Sequence, residues 1–253
     1  MNYTVRTLSY SVTTQSYKHP TIIKMNRFDQ DYQELAHSVR LYGVQRNEVI
    51  SVFGKQFIHN MKSGFPIGSI FPRDHWRNTL EHAVDGLKTE NWQQLANRII
   101  EDPFSNSHYL GETVFYVRPL TKDESSFFWC KRNPEAAKGL TLEQLNEIDY
   151  LDPQWNKIPD GAISMSWNQA FVNVMDLHLL TSYYGFVIAL VAHETNMMPD
   201  WVVANLGTVA LHQDDDEAEI LDQPSKDWLP TFYIADDFKL FESDFDLNYF
   251  ILQ

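Results

Sequence analysis

Residues 161–212 read GAISMSWNQA FVNVMDLHLL TSYYGFVIAL VAHETNMMPD WVVANLGTVA LH, and this stretch decides the fold. Ala162–Trp167 alternates apolar and small polar residues, the pattern of a half-buried strand. Leu177–Val191 is a long apolar segment with Gly185 inside it and Asn196 and Pro199 after it. Trp201–Ala204 is a second strand-like run leading to Leu206-Gly207. The order is therefore strand, core helix, Pro-Asp turn, strand. That order puts the chain in a mixed α+β class, with a long buried core helix.

The rest of the composition agrees with a large core. The chain has 253 residues, of which 43% are hydrophobic and 14% aromatic, enough for one large domain. A single cysteine excludes an internal disulfide framework. Asn2–Ser11 is polar and interrupted, unlike a signal peptide. The apolar run Leu177–Val191 contains Ser182 and two tyrosines and is shorter than the roughly 20 residues of a membrane span. The expectation is a soluble cytoplasmic protein with no membrane partner. A net charge of -14 repels a phosphate backbone, which argues against nonspecific nucleic-acid binding.

Outward from the central stretch, Phe28–Arg40 has a weak helical pattern and Val49–Pro66 reads as a strand closed by a Lys62-Ser63-Gly64 turn. His75–Leu87 places Trp76, Leu80, Ala83 and Leu87 on one helical side. Trp92–Pro103 is helical and ends in Asp-Pro, and Thr113–Pro119 is strand-like. Glu135–Ile148 reads as a helical insertion, with Thr141 as N-cap. The acidic run Asp214–Glu219 is read as a solvated face, since it lacks the interleaved spacing of a metal loop.

Several of these blocks together resemble the thymidylate synthase and pyrimidine (dCMP or dUMP) hydroxymethylase family. Ser51, Phe53, Gly54 and Gln56 match its Leu-Ser-x-Phe-Gly-x-Gln-Met strand, and Gly64, Phe65 and Pro66 match the turn that follows. Tyr184, Pro199 and Leu206-Gly207 fit the Ala-Ser-Tyr helix, Leu-x-Pro-Gly and Leu-Gly-Asp-x-His-x-Tyr without a gap. The resemblance implies a large mixed β-sheet flanked by helices, with a long buried core helix. It also implies one domain over 1–253, with an N-terminal extension at 1–26, an insertion at 120–160, and a homodimer joined back to back through the sheet.

The family's chemistry needs a thiolate nucleophile, arginines for the substrate phosphate, a polar group reading the pyrimidine edge, and methylenetetrahydrofolate. By the resemblance, Glu81 falls on the glutamate that orders water and protons around the ring. Cys130, the only cysteine, is the candidate nucleophile when counted on from Pro119, with Lys131 and Arg132 beside it to lower its pKa. Counting back from Gln169 reaches Asp149 instead. Gln169 replaces one phosphate arginine, and Asn106 and Ser107 replace the pair lent by the neighbouring subunit. Arg46 is the one basic residue in the shortened Gly43–Glu48 loop, and Arg46, Arg73, Lys131 and Arg132 are the basic residues from which a rebuilt pocket could compensate. Leu180, Val172, Ala210 and Phe71 stand at the base-reading Asn and Asp, the ribose His, and the folate-side lysine, with His212 at the ribose Tyr. Losing three arginine contacts costs on the order of 5–9 kcal/mol, about the whole 8 kcal/mol behind a micromolar substrate.

Three readings result. The first is a non-catalytic homodimeric scaffold or regulatory protein that uses no cofactor and works on a protein partner. The second is an active folate-dependent enzyme acting on a pyrimidine deoxynucleotide through Cys130 and Glu81, with Arg46, Gln169 and His212 at the nucleotide. A third and weaker reading, an enzyme of another class with a site around His178, His193 or His212, is given no chemistry, because lone histidines are more often structural.

Overall fold

The computed structural model describes residues 26–70, 75–105, 107–141, 144, 158–212, 224 and 230–253. Residues 1–25 of the N-terminal extension, Phe71, Arg73, Asn106, Asp149 and the acidic run lie outside the described residues.

Helix α1 (Arg27–Tyr42) opens the described chain, capped by the Asn26 side chain on the Phe28 amide. It buries Phe28, Tyr32, Leu35, Ala36 and Val39, a spacing of three and four residues that gives one apolar face. Strands β1 (Val44–Arg46) and β2 (Val49–Asn60) form a hairpin around Asn47, whose φ of 56° suits asparagine. A 3-10 turn (Met61–Ser63) and Gly64 at φ 119° close β2 where the turn was expected. Helices α2 (His75–Leu87) and α3 (Glu90–Glu101) follow, then strands β3 (His108–Leu110) and β4 (Thr113–Arg118).

Helix α4 (Lys122–Arg132) starts at a capping box in which the Thr121 hydroxyl accepts from the Glu124 amide and the Glu124 carboxylate accepts from the Thr121 amide. The short helix α5 (Pro134–Ala137) ends before Gly139 at φ 92°, so the expected continuous helix from residue 135 is interrupted there. Beyond it, Thr141 and the Gln144 side chain cap each other as expected of an N-cap.

The central stretch folds as strand β5 (Gly161–Asn173), helix α6 (Val174–Glu194) and strand β6 (Met197–His212). All three are longer than the pattern suggested. Asn173 sets the start of α6, its side chain accepting from the Met175 amide at 3.0 Å. The turn after α6 is not at Pro199-Asp200 but at Thr195-Asn196, with Asn196 at φ 52°. Pro199 is instead inside β6, opposite Ile163, at a register shift and beyond the last β2 partner at Trp201. Its missing N–H therefore costs little of the ladder.

At 21 residues, α6 is long and apolar enough by composition to cross a membrane, longer than the apolar run suggested. Most of it is buried within the fold. It packs on α2 and on β5 and β6, and its buried residues cover the whole circumference of its second half. At roughly 1.5–3 kcal/mol for each large apolar side chain buried, this helix contributes heavily to core stabilisation.

The six-stranded sheet has the order β1-β2-β6-β5-β4-β3. Only β5 and β6 run parallel, as a strand-helix-strand crossover requires. Strands β7 (Phe232–Ile234) and β8 (Phe250–Leu252) form a separate antiparallel pair. It is held to the core by Phe232 and Phe250, through ring contacts of Phe232 with Phe65 and Phe186 and of Phe250 with Phe238.

A kink crosses three central strands at Gly54, Gly207 and Ala170. Gly54 has φ 70°, and a Cβ on Gly207 would lie 2.5 Å from the Ala170 carbonyl oxygen. Phe57 and Trp167 point to the core on one side of this line, whereas Val172 and Val209 do so on the other. Phe53 and Phe171, of the same strand parity as Phe57 and Trp167, are consequently turned outward, Phe53 to 81% exposure. Helices α1 and α6 pack on one face of the sheet and α2 packs on α6, while Phe53, Gln56, Ile58, Tyr116, Asn168 and Phe171 are exposed on the other face.

Candidate functional site

The sheet brings two of the sequence candidates together. Arg46 pairs with Val49, and Val49 pairs with His212, so both lie on one row at one end of the sheet, two strands apart. Both are exposed. Gln169 pairs with Leu206, about 20 Å of strand from His212. Its side-chain amide donates to the Phe171 carbonyl at 2.9 Å, on its own strand. Glu81 is on the exposed side of α2, whose Leu80, Ala83, Val84 and Leu87 are buried.

Cys130 is in a different place. It lies within helix α4 rather than in a loop, and α4 is fixed to the far end of the sheet. The anchor is a four-charge cluster. Glu124 accepts from Arg118 Nη1 at 2.9 Å and Nη2 at 2.8 Å, and it pairs with Lys62. Asp200 accepts from Arg118 Nε at 2.9 Å and lies 3.1 Å from Lys62 Nζ. Glu124 and Asp200 are almost fully buried, while the two cations reach solvent. The Arg118 and Lys62 hydrogen bonds outweigh the effect of burial and hold the Glu124 carboxyl well below the usual carboxylate range. Asp200 is near the start of β6 and His212 is its last residue, about 40 Å apart along an extended strand.

Burial pushes the Cys130 thiol up, against the lowering expected from its basic neighbours. A thiol raised this way is a poorer nucleophile at neutral pH, because the thiolate is the reactive form. Val172 and Ala210, at positions where the resemblance asks for polar groups, are buried. Leu180 is half-buried against the core. Among the described residues, no group of three or more His, Cys, Asp or Glu is placed to hold a metal.

The polar arrangements that sequence reading missed are mostly long-range. One is the charge cluster, whose members lie on β4, β6, α4 and the turn after β2. Another is the tethering of the turn at residues 64–70. Its backbone is held by His59 at the Gly64 carbonyl (2.8 Å), Ser182 at the Pro66 carbonyl (2.7 Å), Asn26 at the Ile67 carbonyl (2.9 Å) and Asp29 at the Ser69 amide (2.9 Å). Gly185 lets α6 approach this turn, since a Cβ there would meet Pro66 Cγ at 2.4 Å. The third is on the open face of the sheet. Three rows cross it: Tyr109–Val114–Ser166–Val203–Ile58, Asn168–Asn205–Gln56 and Phe171–Thr208–Phe53. None of these residues is charged. Gln56 Nε2 donates to Asn205 Oδ1 at 2.8 Å, and Asn205 Nδ2 donates to Asn168 Oδ1 at 3.2 Å, an amide ladder over three strands.

No protein-family model matches this chain, and no curated protein matches it.

Proposed function

We propose that this chain is a non-catalytic, homodimeric scaffold or regulatory protein built on a thymidylate-synthase-like sheet. The observation that carries this reading is the separation of the candidates. Cys130 is buried upward in pKa on a helix anchored near the start of β6, whereas Arg46 and His212 are at the end of β6. General principles require a nucleophile and its substrate-holding cations within a few ångströms of one ligand. The positions that resemble the family's fold are those that shape the turn, the core helix and the kinked sheet, and they are kept. The chemical positions are mostly substituted: only Glu81 and, on one count, Cys130 remain.

The open sheet face supports the dimer. Two chains of net charge -14 repel one another over most of their surface. The uncharged rows form the face on which two copies meet without that cost. About eight residues each of β2, β6 and β5, with the six of β4 and the three of β3, give a footprint of about 500 Å² before side-chain relief. That approaches the roughly 800 Å² per partner of a standard interface.

The test is calorimetric titration and thermal shift with dUMP, dCMP and dTMP, each with and without methylenetetrahydrofolate. The expected result is no stabilisation by any of them. Nucleotide at 100 times a micromolar Kd would add about 2.7 kcal/mol to native stability, a readily seen rise in Tm. Such a rise, with folate-dependent turnover lost in Cys130→Ala, would establish the enzyme reading in its place.

A further inference from the structure

The amide ladder on the open face has a direction. Each step is an N–H donating to a carbonyl oxygen, from Gln56 to Asn205 to Asn168. One end is therefore the Gln56 carbonyl oxygen, an acceptor, and the other is the Asn168 NH₂, a donor. Neither end group has a further partner among the described residues. On an open face, water satisfies both. Between two packed sheets, each would be a buried polar group that costs free energy unless paired.

From this we infer that the ladder sets the symmetry axis of the dimer: a two-fold axis that lies between the two sheets and runs along the strands over Asn205. The inference rests on the homodimer reading above. An axis in that direction reverses the ladder of the second copy. The Gln56 acceptor of each copy then faces the Asn168 donor of the other, and both ends are satisfied at once. An axis along the ladder does the opposite, placing acceptor on acceptor and donor on donor. Strands related by the first axis stay aligned, the common geometry for sheets packed face to face. A short polar row within an apolar contact thus selects one register out of several, as a single buried asparagine does in a coiled coil.

The test uses two single substitutions and their mixture, followed by sedimentation velocity across a concentration series. Asn168→Asp replaces the donor end with a carboxylate, which faces the Gln56 acceptor in its own homodimer. Gln56→Lys replaces the acceptor end with an ammonium, which faces the Asn168 donor. Each variant alone should dimerise about tenfold more weakly than wild type, or worse, because two unmatched ends are buried. The mixture should recover dimer, since the heterodimer sets the new carboxylate against the new ammonium at one end and keeps the native pair at the other. A tag on one variant identifies the heterodimer. Wild-type protein that sediments as a monomer would overturn the homodimer reading itself. A wild-type dimer whose two variants self-associate as tightly as wild type would leave the dimer standing and overturn the ladder inference. Weakened variants that do not recover on mixing would overturn the pairing of position 56 with position 168.

Discussion

Gly185 sits where α6 meets the Phe65-Pro66 turn. Its lack of a side chain is a matter of space rather than backbone angle, because an added Cβ would overlap the Pro66 ring. That ring cannot retreat easily, since the Ser182 hydroxyl holds the Pro66 carbonyl and Phe65 stacks into the aromatic group with Phe186 and Phe232. Gly185→Ala should destabilise the protein by about 1–3 kcal/mol despite alanine's better helix propensity, as read by the urea midpoint. Two histidines, the buried His59 and the half-buried His178, give a pH dependence at the same scale. Burial holds His59 and His178 at about 4, against a usual 6.5, and the Gly64 and Met175 carbonyls offset only part of this. Both are neutral in the fold. Their contribution is fully present above 6.5 and is lost as pH falls from 6.5 to 4, where the unfolded chain takes up protons first. Each is worth about 3 kcal/mol over that window. Asp31, 4.0 Å from His59 Nδ1, acts in the other direction, because burial raises its carboxyl. Denaturant midpoints should fall between pH 6.5 and pH 4, and His178→Gln should flatten that slope.

At the scale of elements, α4 is attached by charge rather than by a wide apolar face. Its Trp129 is buried, but the contacts that hold its first turn are those of Glu124 with Arg118 and Lys62. Removing the Glu124 charge leaves Arg118 and Lys62 sharing Asp200 alone. Both cations reach water, so the loss is smaller than for a fully buried pair. Glu124→Gln should cost about 2–3 kcal/mol. It should also increase amide hydrogen exchange in residues 122–132 while leaving β5 and β6 protected. A uniform loss of protection would show instead that the cluster stabilises the whole sheet. Helix α6 is the opposite kind of element. Its sequence is apolar almost all round, which marks it as a core helix before any neighbour is known.

For the whole molecule, the central feature is a sheet covered on one side. The helices bury one face, and the kink at Gly54, Gly207 and Ala170 turns Phe53 and Phe171 out onto the other. Phe53→Glu places a charge on that face without touching the core. In the homodimer reading it should shift sedimentation from dimer to monomer at micromolar concentration and leave the far-ultraviolet circular dichroism unchanged. Cys130→Ala should leave both dimerisation and fold intact, because the thiol is only partly buried, on a helix anchored at Arg118 and Asp200 near the start of β6 rather than at Phe53 and Phe171.

The order of elements was legible in the residues themselves. The alternation in Ala162–Trp167, the long apolar run after Leu177 and the helical spacing of His75–Leu87 are local signals, and local periodicity is set by the backbone geometry of strand and helix. The Pro199-Asp200 turn was misplaced because proline marks both turns and strand starts, and only the register of β5 with β6 distinguishes them. The candidate residues could be picked out by type, but not assembled. Cys130, Glu81, Gln169, Arg46 and His212 are separated or joined by strand order, and strand order depends on which β-edges meet in three dimensions. The charge cluster, the tethered turn at 64–70 and the amide ladder join residues dozens to more than a hundred positions apart. Such contacts leave no periodic trace along the chain, so only the tertiary structure decided them.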